Sequence, residues 1–241
     1  MKWWIATVGL LAGTAGLGGA EPQQFASGVN RTHLLELYTS EGCSSCPPAE
    51  KRLADLRAHP RLWRDFVPVA FHVNYWDRLG WTDRFASREF TAREYAYAEV
   101  WGSRTVYTPC FVLNGADQRN RVGDALLAAS REQPGVLTAE YDGRGVLKVA
   151  FAAAGSGDHE VHAAILGGGI VSRVKAGENR GETLRHEFVA LELKSTTLRE
   201  GSATLRLPKA EVEGVTRHAL AVWVTRRGQL APVQAAGGWI D

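Results

Sequence analysis

The spacing of apolar and polar residues changes partway along the chain. Between residues 30 and 133, short apolar runs alternate with stretches of helical period. His33-Leu34-Leu35-Glu36-Leu37-Tyr38 reads as a strand. Pro47 to Ala58 reads as a helix, with Ala49, Leu53 and Leu56 near one face and two prolines in the first turn, where a missing N–H costs nothing. Val67 to Val73 is a second strand. Ser87 to Trp101 is a second helix with Ser87 as its N-cap. Val106 to Leu113 is a third strand interrupted by Pro109, followed by an Asn114-Gly115 turn and a polar strand to Val122. Asp124 to Glu132 closes the stretch as a third helix. The expected order is β, α, β, α, β, β, α.

After Pro134-Gly135 the period becomes two. Strands are expected at Val136–Tyr141, Val146–Ala152, Glu160–Leu166, Ile170–Val174, Glu187–Glu192, Ala203–Leu207 and Ala219–Thr225. Turn residues such as Asp142-Gly143 and Gly177-Glu178-Asn179 separate them. This pattern predicts an antiparallel sandwich or barrel. The expected domains are therefore residues 30–133, mixed α and β, and residues 136–241, rich in strands.

The N-terminus follows a different rule. Lys2 precedes an uncharged stretch from Trp3 to Leu17, and Gly18, Gly19 and Ala20 lead into Glu21-Pro22. This is the order of a secretory signal with a small-residue cleavage site, so residues 1–20 are expected to be removed. The apolar run is shorter than a comfortable membrane span. The expectation is a periplasmic or secreted protein of the bacterial envelope, with no stable membrane insertion after cleavage.

Composition narrows the function. Across 241 residues, Lys and Arg number 28 and Asp and Glu 26, for a formal charge of +2. So even a balance excludes a nucleic-acid reader that relies on bulk charge. Three cysteines are too few for a disulfide-stapled scaffold. The one methionine is Met1, so the mature chain offers no thioether to soft copper.

The densest chemistry lies in Tyr38-Thr39-Ser40-Glu41-Gly42-Cys43-Ser44-Ser45-Cys46-Pro47-Pro48. Here a strand runs into Cys-x-x-Cys and a helix begins at once. Sulfur at a helix N-terminus sits near unpaired N–H groups and the positive dipole end, which stabilises thiolate. The two-residue spacer lets the second thiol attack a mixed disulfide on the first. Cys43 is expected to be an exposed nucleophile and Cys46 the resolving thiol. The second signal is Tyr107-Thr108-Pro109 entering a strand. Proline is unwelcome inside a sheet, and a cis bond that turns the chain is one reason to find it there.

Residues 33–133 resemble a thioredoxin-like domain. More closely, the chain resembles the secreted bacterial proteins grouped as domain of unknown function 1223 (DUF1223). The matching stretches are Glu36 to Ala49, Phe71-His72-Val73-Asn74-Tyr75-Trp76-Asp77, Leu79-Gly80-Trp81 and Val106-Tyr107-Thr108-Pro109. In the second half, Gly177-Glu178-Asn179, Gly181 and Thr183-Leu184 also match. The resemblance implies an N-terminal thioredoxin-like α/β domain followed by a smaller antiparallel β-sandwich-like domain, an α+β chain overall. It also implies an envelope location and a cis proline opposite Cys-x-x-Cys, with Thr108 presenting backbone groups to an extended partner. The chain departs from the family pattern at Asn74, where Asp is usual, and at Cys110, where Gln is usual.

Other side chains complete the expected site. Glu36, on the first strand, is a candidate proton relay for the resolving thiol. Tyr75, Trp76, Trp81 and Tyr107 are candidate walls of a substrate groove, since aromatic residues anchor recognition. Cys110 is expected to point into the core as a free thiol. The function expected is thiol–disulfide exchange with protein or small-molecule thiols and disulfides, catalysed by Cys43, Cys46, Thr108, Pro109 and Glu36. The dithiol stores the electrons, so no organic cofactor is required, and no metal site is assigned. Two alternatives stay open. One is a copper carrier using Cys43, Cys46 and His72. The other is a non-enzymatic binding protein in which Cys43–Cys46 is a structural disulfide.

Overall fold

A computed structural model describes residues 21–240 except 120, 121, 124, 126 and 210. The expected signal segment, residues 1–20, lies outside the described residues. Fourteen strands and two α-helices are described. They run β1 (Gln23–Ala26), β2 (His33–Thr39), α1 (Pro47–Asp55), β3 (Phe66–His72), α2 (Arg88–Val100), β4 (Cys110–Leu113), β5 (Ala116–Asp117), β6 (Gly135–Tyr141) and β7 (Val146–Ala153). These are followed by β8 (His159–Gly168), β9 (Ile170–Arg173), β10 (Thr183–His186), β11 (Val189–Thr197), β12 (Ser202–Arg206), β13 (Arg217–Arg226) and β14 (Pro232–Ile240).

The local reasons are those of the sequence. Pro47 and Pro48 open α1, and a short 3₁₀ turn at Leu56–Ala58 continues it. The Ser87 hydroxyl caps α2 by accepting from the Phe90 N–H at 3.1 Å. Asn114 (φ 48°) and Gly115 (φ 86°) make the β4–β5 turn, where left-handed backbone suits Asn and Gly. The expected helix at 124–132 is not there: its described residues are turn and coil. Enclosed between Gly123 and Pro134, the segment is too short to hold a helix by itself.

Tertiary pairing departs further from expectation. The largest sheet has eight strands in the order β14-β13-β8-β11-β3-β2-β4-β5. β2 and β3 are parallel, and β11 joins β3 in parallel at Val189↔Ala70, while the remaining pairs are antiparallel. β1-β6-β7-β12 form a second, antiparallel sheet, and β9 and β10 a two-stranded hairpin. The described residues are mostly β, with 44% in strands and 13% in helices. The expectation of a thioredoxin-like α/β domain followed by a small sandwich is therefore overturned. The physical reason is the free edge of β3. β11 satisfies it, so one sheet runs on from residues before Pro134 into residues after it.

Two cores lie on opposite faces of that sheet. Ala164 and Leu166 of β8, with Ala219, Ala221 and Trp223 of β13, join the cluster that holds Phe90 and Tyr97 of α2. Val161, Ala163 and Ile165 of β8, with Leu220, Val222 and Val224 of β13, meet Leu137, Tyr141, Val149 and Phe151 of the second sheet. Both strands are buried on both faces, as their continuous apolar runs require. No helix among the described residues is long and apolar enough to cross a membrane.

Candidate functional site

β2 delivers the chain to the cysteines. By the alternation of a strand, Leu35, Leu37 and Thr39 share one face, and Glu36 and Tyr38 the other. Thr39 Oγ1 donates to Glu50 of α1 at 2.6 Å, whereas Glu36 meets Arg93 of α2. The two helices thus flank opposite sides of β2. Beyond Thr39 the backbone turns, with Cys43 N–H bonded to Ser40 and Cys46 N–H to Cys43, and α1 starts from Cys46 as its N-cap residue.

All three cysteines are free thiols in this structure. Cys43 Sγ lies 3.3 Å from Ser45 Oγ and 3.7 Å from the Thr108 carbonyl. The Thr108–Pro109 peptide is cis. Hydrogen bonds from the Cys46 thiol, then from Ser45 and Thr108, outweigh burial and bring Cys43 down from 9.0 to about 6. Burial and the neighbouring Cys43 sulfur push Cys46 far the other way. The pair is asymmetric, with the thiolate held on Cys43.

The sequence predicts an exposed Cys43, but the structure buries it, at 0% of its surface. Two sets of contacts hold the turn that carries it. Trp76 packs its Cβ against Gly42 and donates from Nε1 to Thr108 Oγ1 at 2.7 Å. A Cβ on Gly42 would come within 3.0 Å of that Trp76 carbon, so the close approach requires glycine. From the other side, the loop joining β9 to β10 grips the cysteine turn. Asn179 Nδ2 donates to the carbonyls of Glu41 and Cys43, both at 2.9 Å. Glu178 accepts from the Ser44 N–H at 3.0 Å and hydroxyl at 2.8 Å.

The remaining expected residues separate into two groups. Tyr75, Trp76, Tyr107 and Thr108 line an open groove of about 540 Å³ with Arg78 and Arg104. Thr108 is common to this groove and to the Cys43 contacts, while Cys43 itself does not line the groove. Trp81 is not in it: its Nε1 donates to Glu41 Oε2 at 2.7 Å. Glu36 is engaged away from the thiols. Its oxygens take two Arg93 bonds, at 2.8 and 3.1 Å, and hydroxyls from Tyr38 at 2.9 Å and Tyr97 at 2.6 Å. Cys110 sits in the core at 1% exposure, and burial pushes its thiol up to about 12. His72 is likewise absent from the cysteine contacts. The ligand-type atoms that converge are those of Glu50, His72 and His186, without either cysteine, so the copper set Cys43, Cys46 and His72 is not assembled.

The sequence reading missed a buried polar cluster beneath the cysteine turn. It contains Glu41, Glu50, His72, Asp83 and His186. His72 Nδ1 meets Asp83 Oδ2 at 2.7 Å. The same Asp83 oxygen accepts the Glu41 N–H at 2.8 Å. His186 Nδ1 bonds Glu50 closely, and its Nε2 lies 3.2 Å from Glu41 Oε1. Burial opposes charge on His186, but Glu50 and Glu41 overcome it and raise the ring to about 10. Burial likewise opposes ionisation of Glu50, which His186 holds below the usual range. A signal did exist, since the alternation of Leu184 and His186 marks a short strand. Its importance depends on a partner 136 residues away.

Comparison with other proteins places this geometry. The chain superposes on protein AGR_C_4864 from Agrobacterium tumefaciens with a TM-score of 0.58 and 24% identity, over 86% of this chain and 93% of that one. It superposes on HBP35 of Porphyromonas gingivalis with a TM-score of 0.61 and 14% identity, over 88% and 76%. At these identities the likeness is one of fold. No curated protein matches the chain. A family model described as protein of unknown function matches residues 34–225, most of the length, and the chain belongs to that family, DUF1223.

Proposed function

We propose that the protein is a thiol–disulfide oxidoreductase whose working pair is Cys43 and Cys46. The observation that carries this reading is the placement of the pair: Cys43 and Cys46 lead directly into α1, and Cys43 Sγ lies 3.3 Å from the Ser45 hydroxyl and 3.7 Å from the Thr108 carbonyl. Hydrogen bonding favours thiolate on Cys43 and burial disfavours it on Cys46, the order that attack by Cys43 and resolution by Cys46 require.

In the reducing direction the Cys43 thiolate attacks one sulfur of a substrate disulfide. An S–S bond forms to Cys43, and the other substrate sulfur leaves as thiolate. Cys46 then gives up its proton and attacks Cys43 Sγ, expelling the second substrate thiolate. The chain ends with a Cys43–Cys46 disulfide, having passed two electrons to the substrate, and the reverse sequence oxidises a dithiol. The groove lined by Tyr75, Trp76 and Tyr107 beside Thr108 is where an extended peptide or a small thiol would lie. Cys43 is buried, so the segments packed around it must move for the sulfur to be reached. We infer a secreted or periplasmic setting, as the N-terminal sequence suggests, where exchangeable disulfides exist.

The test is the reduction potential of the pair, read by alkylating the full chain after equilibration in glutathione buffers and counting modified thiols by mass. A value above about −230 mV supports exchange, and one below about −300 mV marks a resistant structural bond and overturns the reading. Cys46→Ser is expected to accumulate mixed disulfides on Cys43, because the resolving attack is lost.

A further inference from the structure

We propose that Glu50, His72 and His186 form a binding site for one divalent transition-metal ion of the zinc class. The three residues come from α1, β3 and β10, and one ligand atom from each lies within 4.8 Å of the others. All three are more than nine-tenths buried. The proposal concerns groups outside the Cys43–Cys46 pair and does not rest on the redox reading.

His72 provides the independent pointer. Its Nδ1 is held by Asp83 at 2.7 Å, which orients the ring and leaves Nε2 as the nitrogen able to ligate. That Nε2 is fully buried and has no hydrogen-bond partner. A carboxylate on one imidazole nitrogen with the other presented inward is the usual support of a metal-bound histidine. Beside it, His186 Nε2 and Glu41 Oε1 face each other at 3.2 Å, so the carboxylate of Glu41 also borders the position. A buried polar nitrogen left unpaired is costly, and His72 Nε2 points to a ligand that would satisfy it.

The donor set selects the metal. Two imidazoles and one carboxylate suit a borderline ion, and the absence of thiolate from the set disfavours Cu(I). Three protein ligands leave a fourth position for water, as in many zinc sites. Tetrahedral zinc holds neighbouring ligand atoms about 3.3 Å apart. His186, whose two ring nitrogens face Glu50 and Glu41, must therefore release a proton, and the Glu50 carboxylate must turn, so that the ion replaces the His186–Glu50 contact. Glu41 and Asp83 add negative charge around the position, which favours a cation there. Bound metal would tie α1, β3 and β10 together, and β10 ends the hairpin whose loop grips the cysteine turn.

The experiment strips the full chain with a chelator, reloads it with Zn(II) or Co(II), and measures metal content by mass spectrometry and the cobalt absorption spectrum. One ion per chain is expected. The cobalt spectrum should lack a thiolate charge-transfer band and be unchanged in the Cys43→Ser/Cys46→Ser double variant. Glu50→Gln should lose stoichiometric binding. Asp83→Asn, which loosens the His72 ring, should weaken binding about 10–100-fold. Failure of the wild-type chain to retain an ion overturns the proposal, as does a thiolate band or binding unchanged in both acidic variants. Should Glu50→Gln fail to fold, wild-type stoichiometry and the cobalt spectrum still decide, because both read the native donor set directly.

Discussion

At the scale of single residues, local partners set the chemistry. Cys43 owes its low proton affinity to donors that solvate a thiolate, the Cys46 thiol foremost. Its alkylation rate should therefore rise with pH through about 6 and level off near neutrality, whereas an ordinary thiol would still be gaining thiolate up to pH 9. Mass-resolved alkylation at Cys43 across pH 5 to 9, run on the reduced chain, checks this. Glu94 shows the opposite case. Burial raises its carboxyl from 4.5 to about 8, despite a hydroxyl from Tyr75 at 3.2 Å, and its other oxygen has no partner. Between those two values the unfolded chain has released a proton that the folded chain keeps. Stability is thus full at acid pH and falls as pH rises through the window. Glu94→Gln should leave stability near pH 4 unchanged and raise it by roughly 2–4 kcal/mol above pH 8, because each tenfold change in proton affinity is worth about 1.36 kcal/mol. Urea melts of both chains at pH 4 and 8.5 measure the difference.

At the scale of elements, the β9–β10 hairpin organises the site. It has few residues, pairs with no other strand, and still reaches the cysteine turn through Asn179 and Glu178 and α1 through His186. Asn179 is buried at 5% exposure, so its two bonds to the Glu41 and Cys43 carbonyls are shielded from water. Asn179→Ala leaves both carbonyls without that donor and should cost about 1–3 kcal/mol. It should also speed Cys43 alkylation at fixed pH, because the turn it holds becomes freer to open. A stability loss of this size with an unchanged alkylation rate would show that the loop braces the fold without controlling the sulfur.

At the scale of the whole molecule, one continuous sheet links the residues on either side of Pro134. Trp223 of β13 is fully buried and touches Phe71 of β3 edge-on at 6.4 Å, while Arg93 of α2 lies 5.4 Å from its ring. Truncating it opens a cavity under both helical and strand-rich parts. Trp223→Ala should cost about 3–5 kcal/mol. The loss should appear in one transition that far-ultraviolet dichroism and Cys43 accessibility follow together, because the sheet does not divide between the two parts. Separate transitions for the two probes would show that the stretches unfold independently.

The sequence by itself determined what depends on neighbours along the chain. Prolines after Cys46 start α1, Ser87 caps α2, Asn114-Gly115 turns the β4–β5 hairpin, and period-two runs mark most later strands. Cys43, Cys46, Thr108 and Tyr107 were legible because short spacing and a strand-entry proline are local signals. Pairing between distant strands belonged to the tertiary structure. β14, rich in alanine and glycine, has little strand propensity. β13 pairs it throughout its length, and Gly237 admits the Trp63 ring, where an added Cβ would come within 3.1 Å. The parity of β2 sent Glu36 to Arg93 and gave Thr39 the side facing Glu50. The burial of Cys43, the hold of Trp76 and the Asn179 loop on its turn, and the meeting of Glu50, His72 and His186 likewise arise only when distant segments pack. Local backbone preference acts over a few residues, whereas the environment of a buried charge or sulfur is set by whichever segments close over it.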